Sequence, residues 1–127
     1  MTVLTEGRHA AEFVLSEAAG HRSRDNITIT SGAGIVAAGT VLGKITAGGE
    51  YTPSDDGAAD GSETAVAINL YEVDATSAAV EVAAITRDAE VNQNILTYHS
   101  GRPDAAAKNT AHADLAGVGI IVRNDAV

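Results

Sequence analysis

The chain has 127 residues, of which 3% are aromatic, and it contains one Phe, no Trp and no Cys. This length fits a single domain with one modest core, and the lack of Cys excludes disulfides, thiolate chemistry and cysteine-based zinc sites. A formal net charge of −9 argues against direct nucleic-acid binding, which needs clustered Lys and Arg. The sequence has no apolar run of about 18 residues and no recognisable secretory signal, so we expect synthesis in the cytoplasm and no contact with a membrane.

Residues 1–11 show no periodicity and leave two interpretations open. They are either a frayed terminus or an arm that becomes ordered on a partner. Glu12–Ser16 then has the character of a short extended segment. We divide the chain accordingly into a flexible N-terminal arm, residues 1–12, and a single compact domain, residues 13–127.

Two extended segments follow, separated by a glycine-rich stretch. Asn26–Thr30 alternates polar and apolar residues, with Ile27 and Ile29 on one face, which is the pattern of a half-buried strand. Thr40–Thr46 is rich in β-branched residues and is the second extended segment. Pro53 indicates a turn after it.

The middle of the chain contains further predicted strands. A small acidic loop, residues 54–62, leads into the alternating segment Ala65–Tyr71, whose inward-facing residues are predicted to be Val66, Ile68 and Leu70. Val73–Thr76 is predicted to turn the chain, and Ala79–Arg87 to form a fourth strand. Because no helix separates these strands, the pattern does not predict a parallel sheet of βαβ units.

Helical signals come late in the sequence. Asp88 is predicted to cap a short helix that ends near Leu96. Asp104 is a stronger start, because its carboxylate can accept hydrogen bonds from the first free amides of a helix. Gly117 is placed to end that helix, and residues 118–123 are predicted to form a closing strand.

The glycine-rich stretch spells a dinucleotide-binding fingerprint, Gly32-x-Gly34-x-x-Ala37. The fingerprint requires a helix after the glycine turn. Here that helix would run through Gly39 and Gly43, at a cost of about 1 kcal/mol for each glycine. Gly39 and Gly43 also fail to form a phosphate loop, because they are separated by three residues and the motif requires four. We therefore interpret the four glycines of the stretch as corners of a bent β-ribbon.

The remaining motifs do not support a metal site or catalysis. If Gly61 held the sixth position of a calcium loop, Ala67 would hold the twelfth, where a bidentate Glu is required. No H-E-x-x-H or G-x-S-x-G motif is present, and no metal-ligand spacing is shared by the four histidines, His9, His21, His99 and His112. We predict no catalytic, cofactor-binding or metal-binding residues and no enzymatic activity.

Five segments in a fixed order carry a resemblance that covers most of the chain: EFVLSEAAGHRSRDNITI, VAAGTVLGKIT, GAADGSETAVAI, ITRDAEVN and, after the late helix, GVGIIVR. Together they resemble the lambda-type bacteriophage head decoration proteins, the capsid-stabilising protein D family. The resemblance extends from Glu12 to Arg123. It depends on the order and spacing of the five segments rather than on any one of them.

The resemblance implies a mainly β fold with a small helical component (α+β): a β-clip-like bent ribbon or incomplete barrel with one or two short helices near the C-terminus. It implies a structural virion protein that forms homotrimers on the outer face of an expanded icosahedral capsid, at threefold positions. The partner is then the major capsid protein of the phage, and the role is to stabilise the shell against the pressure of packaged DNA. No cofactor is implied, and synthesis is expected in the host cytoplasm.

The resemblance also suggests which residues make contacts. The arm is expected to bind the capsid through Thr2, Val3, Leu4, Thr5, Glu6, Arg8, Phe13 and Val14. For Phe13 a second interpretation stays open, that of a core anchor. Arg22 and Arg24 are expected at the trimer interface, although an exposed loop is an equally open interpretation.

A second function stays open at this point. The ribbon segment AAGTVLGKI also fits a free-standing β-clip-like module that binds a small ligand. Such a module would be a monomer whose thermal stability depends on that ligand.

Overall fold

A computed structural model describes residues 8–124 of the chain. Within this range the chain is mainly β with one α-helix, which confirms the predicted fold class. The elements, in chain order, are β1 (Val14–Glu17), β2 (Arg24–Ile29), β3 (Gly34–Val36), β4 (Val41–Lys44), β5 (Tyr51–Pro53), β6 (Ala65–Asn69), β7 (Val73–Ala75), β8 (Val80–Ile85), β9 (Ala89–Asn92), a 3₁₀ helix (Gln93–Ile95), α1 (Ala105–Ala116) and β10 (Ile120–Arg123).

Five of the strands close into a small barrel in the order β2-β5-β4-β6-β8. β2 pairs with β8 along its whole length, from Arg24 opposite Ile85 to Ile29 opposite Val80. On its other side β2 meets β5 through one residue pair, Ile29 and Tyr51. The predicted incomplete barrel is therefore corrected to a closed one, and the β-clip assignment stays a prediction.

The closure depends on β5, a strand of three residues that carries no periodicity. Pro53 is predicted to mark a turn, but it ends β5 opposite Leu42 of β4. β2 pairs with β5 only at Tyr51. Pro53 therefore has no strand partner on the side of β2, and its lack of an amide hydrogen breaks no hydrogen bond there. A proline is tolerated at such an edge position.

Two smaller sheets flank the barrel. β9 is the centre of a three-stranded sheet, antiparallel to β1 and parallel to β10. β3 and β7 form a two-stranded antiparallel sheet, from Gly34 opposite Ala75 to Val36 opposite Val73. Most of Val73–Thr76 is thus a strand and not the predicted turn, because it gains a partner that lies far away in the sequence.

The buried apolar side chains form two clusters. The larger core joins one side of the barrel to α1 and to the three-stranded sheet, and it consists of Phe13, Val41, Ala65, Ile68, Leu70, Ile85, Ala89, Val91, Leu96, Ala111, Leu115 and Ile120. The smaller core consists of Ile27, Ile29, Val36, Leu42, Ala67, Ala75, Val82 and Ala84. β4, β6 and β8 each contribute to both cores, so these three strands connect them.

The alternation of the first barrel strand is confirmed. Ile27 and Ile29 are both buried, while Asn26 is exposed and Thr28 is half-buried. The alternation predicted for the strand now called β6 is wrong at Val66, which is only half-buried. β6 lies between the two cores, and a strand that is covered on both faces has no strict alternation.

The late helix is confirmed at both ends. The side chain of Asp104 accepts a hydrogen bond from the amide of Ala107, which caps the first turn of α1. Gly117 follows the last helical residue and its amide donates to carbonyls of the final turn. The helix buries Ala111 and Leu115 in the larger core.

The helix predicted after Asp88 is wrong. Asp88 has a φ of 51°, which an N-cap residue does not adopt, and the chain continues as β9 and one 3₁₀ turn. Val91 and Ile95 are four residues apart, which suits a helix, but Ala89 and Val91 alternate inward in a strand instead. The pairing of β9 with two neighbouring strands overrides the local helical spacing.

The ribbon glycines have two different roles. Gly32, Gly34 and Gly39 have positive φ angles, in agreement with their interpretation as corners. Gly43 does not, but a Cβ atom there would lie 1.9 Å from the carbonyl oxygen of Ser62. Gly43 is therefore required by the close approach of the acidic loop to β4.

Candidate functional site

Phe13 anchors the chain to the larger core just before β1. Its side chain is completely buried in the larger core, and its carbonyl accepts a hydrogen bond from the amide of Asn92 at 2.8 Å. Two residues earlier, the amide of Ala11 donates to the carbonyl of Leu70 at 3.1 Å. The structure therefore shows Phe13 as a core anchor, and its side chain is not exposed to a partner here.

The other residues of the predicted capsid-binding set are divided. Thr2–Glu6 lie outside the described residues. Arg8 is exposed, whereas Val14 is half-buried and pairs with Val91 of β9. The structure does not bring the described members together as one surface, and their contact with a capsid stays a prediction.

The three-stranded sheet carries a polar ladder on its outer face. Glu90, on the central strand, accepts hydrogen bonds from Ser16 Oγ and Arg123 Nη2, both at 2.6 Å. These contacts, with that from Ser16 the strongest, lower the pKa of the Glu90 carboxyl. Leu15 and Ile121 are each 39% exposed on the two outer strands of this sheet. The free edge of β1 follows directly from the N-terminal segment.

Both arginines predicted at a trimer interface have partners within the chain. Arg24 Nη2 lies 2.6 Å from Glu17 Oε1, and Ser23 Oγ donates to the same carboxylate at 2.8 Å. The hydrogen bonds from Arg24 lower the pKa of the Glu17 carboxyl. Arg22 Nε lies 3.9 Å from Asp88 Oδ2, and both side chains are more than half exposed. Their role at an interface stays a prediction.

Arg102 is a buried guanidinium that the sequence analysis missed. Its side chain is fully buried and donates to the carbonyls of Ser54, Glu63 and Ala107 at 3.1, 2.6 and 2.7 Å. It also contacts the Ser54 hydroxyl and lies 3.4 Å from the carboxylate of Asp56. Arg102 thereby joins the acidic loop to the first turn of α1. Nothing in its local sequence distinguishes it from an exposed arginine.

A second partly buried polar cluster lies beside α1. The Tyr98 hydroxyl and His112 Nε2 are 2.6 Å apart, and Lys108 Nζ lies 5.2 Å from the centre of the Tyr98 ring. Burial raises the pKa of Tyr98 to about 12. Burial, together with the charges of Arg102 and Lys108, lowers the pKa of His112. The imidazole is therefore neutral over a wider pH range than an exposed one.

An open groove with a mixed polar and apolar lining runs along β3. This "Ile35 groove" has a volume of about 250 Å³, and its lining contains no Asp, Glu, Lys or Arg: Ala33, Ile35, Val36, Ala37, Thr40, Pro53, Thr97, Tyr98 and His99. The Ile35 side chain is 70% exposed at its rim. Val36, the next residue, is buried in the smaller core.

Two other open clefts are charged. One, of about 560 Å³, lies between β2 and the turn before β5, and its lining includes Asp25, Lys44 and Glu50. The second, of about 390 Å³, includes His21, Arg24 and Asp25. Both clefts are lined in part by charged side chains, whereas the lining of the Ile35 groove contains no Asp, Glu, Lys or Arg.

Among residues 8–124, no helix has the length and apolar character needed to cross a membrane. The same residues hold no group of three or more His, Cys, Asp or Glu side chains placed to ligate a metal ion.

The described residues present strand edges, exposed ion pairs and an open groove at the surface. The family model described as bacteriophage lambda head decoration protein D matches residues 3–120 of the chain. The chain belongs to this family, and it is therefore a structural protein of the phage head, located on the capsid. A search of curated proteins found no match.

Proposed function

We propose that this protein binds as a homotrimer to the major capsid protein, on the outer face of an expanded icosahedral phage head. It sits at threefold positions and stabilises the shell against the pressure of packaged DNA. It acts without enzymatic activity and is made in the host cytoplasm. The observation that carries the proposal is the family match, which begins at residue 3 and so includes most of the N-terminal segment.

The fold supports a binding role for the segment that precedes Phe13. From Ala11 onward the backbone is attached to the domain, and Phe13 holds this attachment in the larger core. β1 follows immediately and lies at an edge of its sheet, where one row of backbone groups has no strand partner among the described residues. The segment that leads into this edge strand can add as a strand to a sheet of the capsid protein, with backbone hydrogen bonds supplying affinity.

A trimer makes this mode of binding effective. Ordering an arm costs about 1–2 kcal/mol of backbone entropy per residue, which limits the affinity of a single copy. Once one arm of a trimer has docked, the other two bind at a high effective concentration. The net charge of −9 per chain suits a position on the outside of the shell, away from the packaged DNA.

The proposal is tested by deleting residues 2–7, which leaves the Ala11 hydrogen bond and the Phe13 anchor in place. We expect a variant that unfolds at the same temperature and has the same solution mass as the full chain. It is expected to cosediment with expanded, undecorated phage shells at least tenfold more weakly. The full chain and unexpanded shells are the controls.

Normal cosedimentation of the shortened chain would show that the arm does not carry the affinity. Failure of the full chain to bind any expanded shell of its own phage would overturn the proposal itself. A full chain that is monomeric, with a thermal stability that rises with a small ligand, would favour the ligand-binding alternative.

A further inference from the structure

We propose that the peptide bond between Asp56 and Gly57 is a site of spontaneous covalent modification, at which aspartate converts to isoaspartate. The acidic loop contains a second Asp-Gly pair, Asp60–Gly61, which the fold holds in place and which resists the same reaction. This site goes beyond the proposed function, because it reacts whether or not the chain binds a capsid.

The reaction is a ring closure within the chain. The amide nitrogen of Gly57 attacks Cγ of the protonated Asp56 side chain. A bond from nitrogen to Cγ forms, the Cγ–OH bond breaks, and the amide proton leaves with the hydroxyl as one water. A water molecule then opens the resulting succinimide ring at either carbonyl. Opening at the carbonyl of the former main chain leaves the chain connected through Cγ, which is isoaspartate, and the mass is that of the original chain.

The Asp56–Gly57 pair is exposed and weakly held. The Gly57 amide donates to Asp55 Oδ1 at 2.9 Å in an exposed turn. The Asp56 carboxylate lies 3.4 Å from Arg102 Nη1, farther than the three carbonyls to which Arg102 donates. Gly57 has no positive φ, and among residues 8–124 an added Cβ atom would meet one atom within 4 Å, Asp55 Oδ1 at 3.6 Å. The carboxyl and the amide can therefore rotate into contact without disturbing a packed structure.

The Asp60–Gly61 pair is held on both sides. Asp60 Oδ1 accepts hydrogen bonds from the Ser62 hydroxyl at 2.5 Å and the Ser62 amide at 3.0 Å, and these bonds lower the pKa of the Asp60 carboxyl. The Gly61 amide donates to Glu63 Oε2 at 2.8 Å. Gly61 has a φ of +103°, and a Cβ atom there would lie 2.2 Å from Thr46 Oγ1. Rotation of this carboxyl towards the Gly61 nitrogen would break these contacts, so the exposure of Asp60 does not make it reactive.

The modified bond lies inside the loop that Arg102 holds. Ser54 and Glu63, whose carbonyls accept hydrogen bonds from Arg102, stand on either side of it in the sequence. Isoaspartate adds one carbon atom to the main chain between these two residues and moves the carboxylate relative to Arg102. We therefore expect an aged chain to show faster hydrogen exchange in residues 54–63.

The test measures isoaspartate at both positions in the folded, full chain. The protein is incubated in a mildly acidic buffer well below its unfolding temperature and is then cleaved after glutamate, which releases residues 51–63 with both Asp-Gly pairs. Isoaspartate is detected as a peptide of equal mass and different elution, and electron-transfer fragmentation assigns its position. We expect it to form at least tenfold faster at Asp56 than at Asp60.

Two controls separate the effect of the fold from that of the sequence. A synthetic peptide of residues 51–63 contains the same two pairs without the fold, and we expect comparable rates at both positions. Gly57→Ala suits the local backbone and is expected to keep the unfolding temperature. It is expected to slow the reaction at Asp56 about tenfold, because a side chain at this position hinders the ring closure.

Equal rates at Asp56 and Asp60 in the folded chain would overturn the inference. An Asp56 that forms no isoaspartate while the synthetic peptide converts would also overturn it, because the fold would then protect both pairs. A Gly57→Ala chain that reacts as fast as the full chain would contradict ring closure at this peptide bond. None of these results concerns binding to shells, which tests the proposed function separately.

Discussion

The two cores of the domain end in different ways at the surface. In the larger core, Phe13 and α1 pack against the barrel within the same chain. The buried Arg102 joins the acidic loop to α1. The smaller core ends at the two-stranded sheet β3–β7, where Val36 is buried and Ile35 is 70% exposed. The most exposed apolar side chain among residues 8–124 therefore lies beside the smaller core, whereas Leu15 and Ile121, on the side of the larger core, are less exposed.

The largest expected effect tests whether the two cores unfold together. Phe13→Ala removes the one buried aromatic ring of the larger core and is expected to lower the free energy of unfolding by about 3–5 kcal/mol. Because β4, β6 and β8 belong to both cores, we expect one cooperative transition in thermal and denaturant unfolding. Ile29→Val in the smaller core is the comparison, with an expected loss of about 1 kcal/mol.

A two-step transition for Phe13→Ala, with β2–β8 amides still protected from exchange after the first step, would show that the smaller core folds independently. A loss as small as that of Ile29→Val would show that the larger core does not depend on Phe13.

The second prediction concerns Arg102, which joins the acidic loop to the first turn of α1. Arg102→Met keeps an unbranched side chain but leaves the carbonyls of Ser54, Glu63 and Ala107 without their donor. We expect a loss of about 3 kcal/mol, because buried carbonyls without partners carry their full desolvation cost. Hydrogen exchange is expected to accelerate first in residues 54–63 and in the first turn of α1.

Arg123→Met is the control for this change, because Arg123 forms an exposed ion pair with Glu90. Its expected loss is below about 1 kcal/mol. Equal losses for the two variants would mean that the buried Arg102 stabilises the fold no more than an exposed ion pair does.

The smallest expected effect is a dependence on pH. Burial lowers the pKa of His112 below its ordinary value of 6.5, so the unfolded chain takes up a proton at a pH where the folded chain does not. Stability is therefore expected to fall as the pH drops from 7 through 6.5 towards the lower folded pKa. His112→Gln keeps a polar partner for Tyr98 and is expected to flatten this part of the stability profile.

His21→Gln is the matched control, because His21 is exposed. The slopes measured for the unmodified chain and for this variant are the baseline for His112→Gln. An unchanged slope for His112→Gln would contradict the assignment of the pH dependence to the Tyr98–His112 contact.

The elements that the sequence predicts well are those with a local signal. Asn26–Thr30 alternates, and Asp104 and Gly117 mark the ends of α1, so no distant partner is needed to recognise them. β3, β5 and β7 have three residues each, too few to show a period, and they exist because of partners elsewhere in the chain. Local spacing after Asp88 favoured a helix, and sheet pairing reversed it.

The binding surfaces divide in the same way. The ordered segments from Glu12 to Arg123 were enough to indicate the family, because that signal is spread along the whole chain. No pattern in the neighbouring sequence distinguishes Arg102 or Ile35. The burial of Arg102 and the exposure of Ile35 depend on distant chain segments that fold around them. Residue-level contacts of a structural protein therefore require the fold.

The single residue pair between β2 and β5 gives the barrel a mechanical weak point. The amide and hydroxyl of Thr30 add one hydrogen bond each to this seam, to the carbonyl of Tyr51 and to the carboxylate of Glu50. β2 and β8 are joined by six residue pairs, which share any pulling force between them. β2 and β5 are joined by one residue pair, which with the Thr30 hydrogen bonds must bear the whole force. This seam is therefore where the barrel is expected to open first, with β5 still paired with β4.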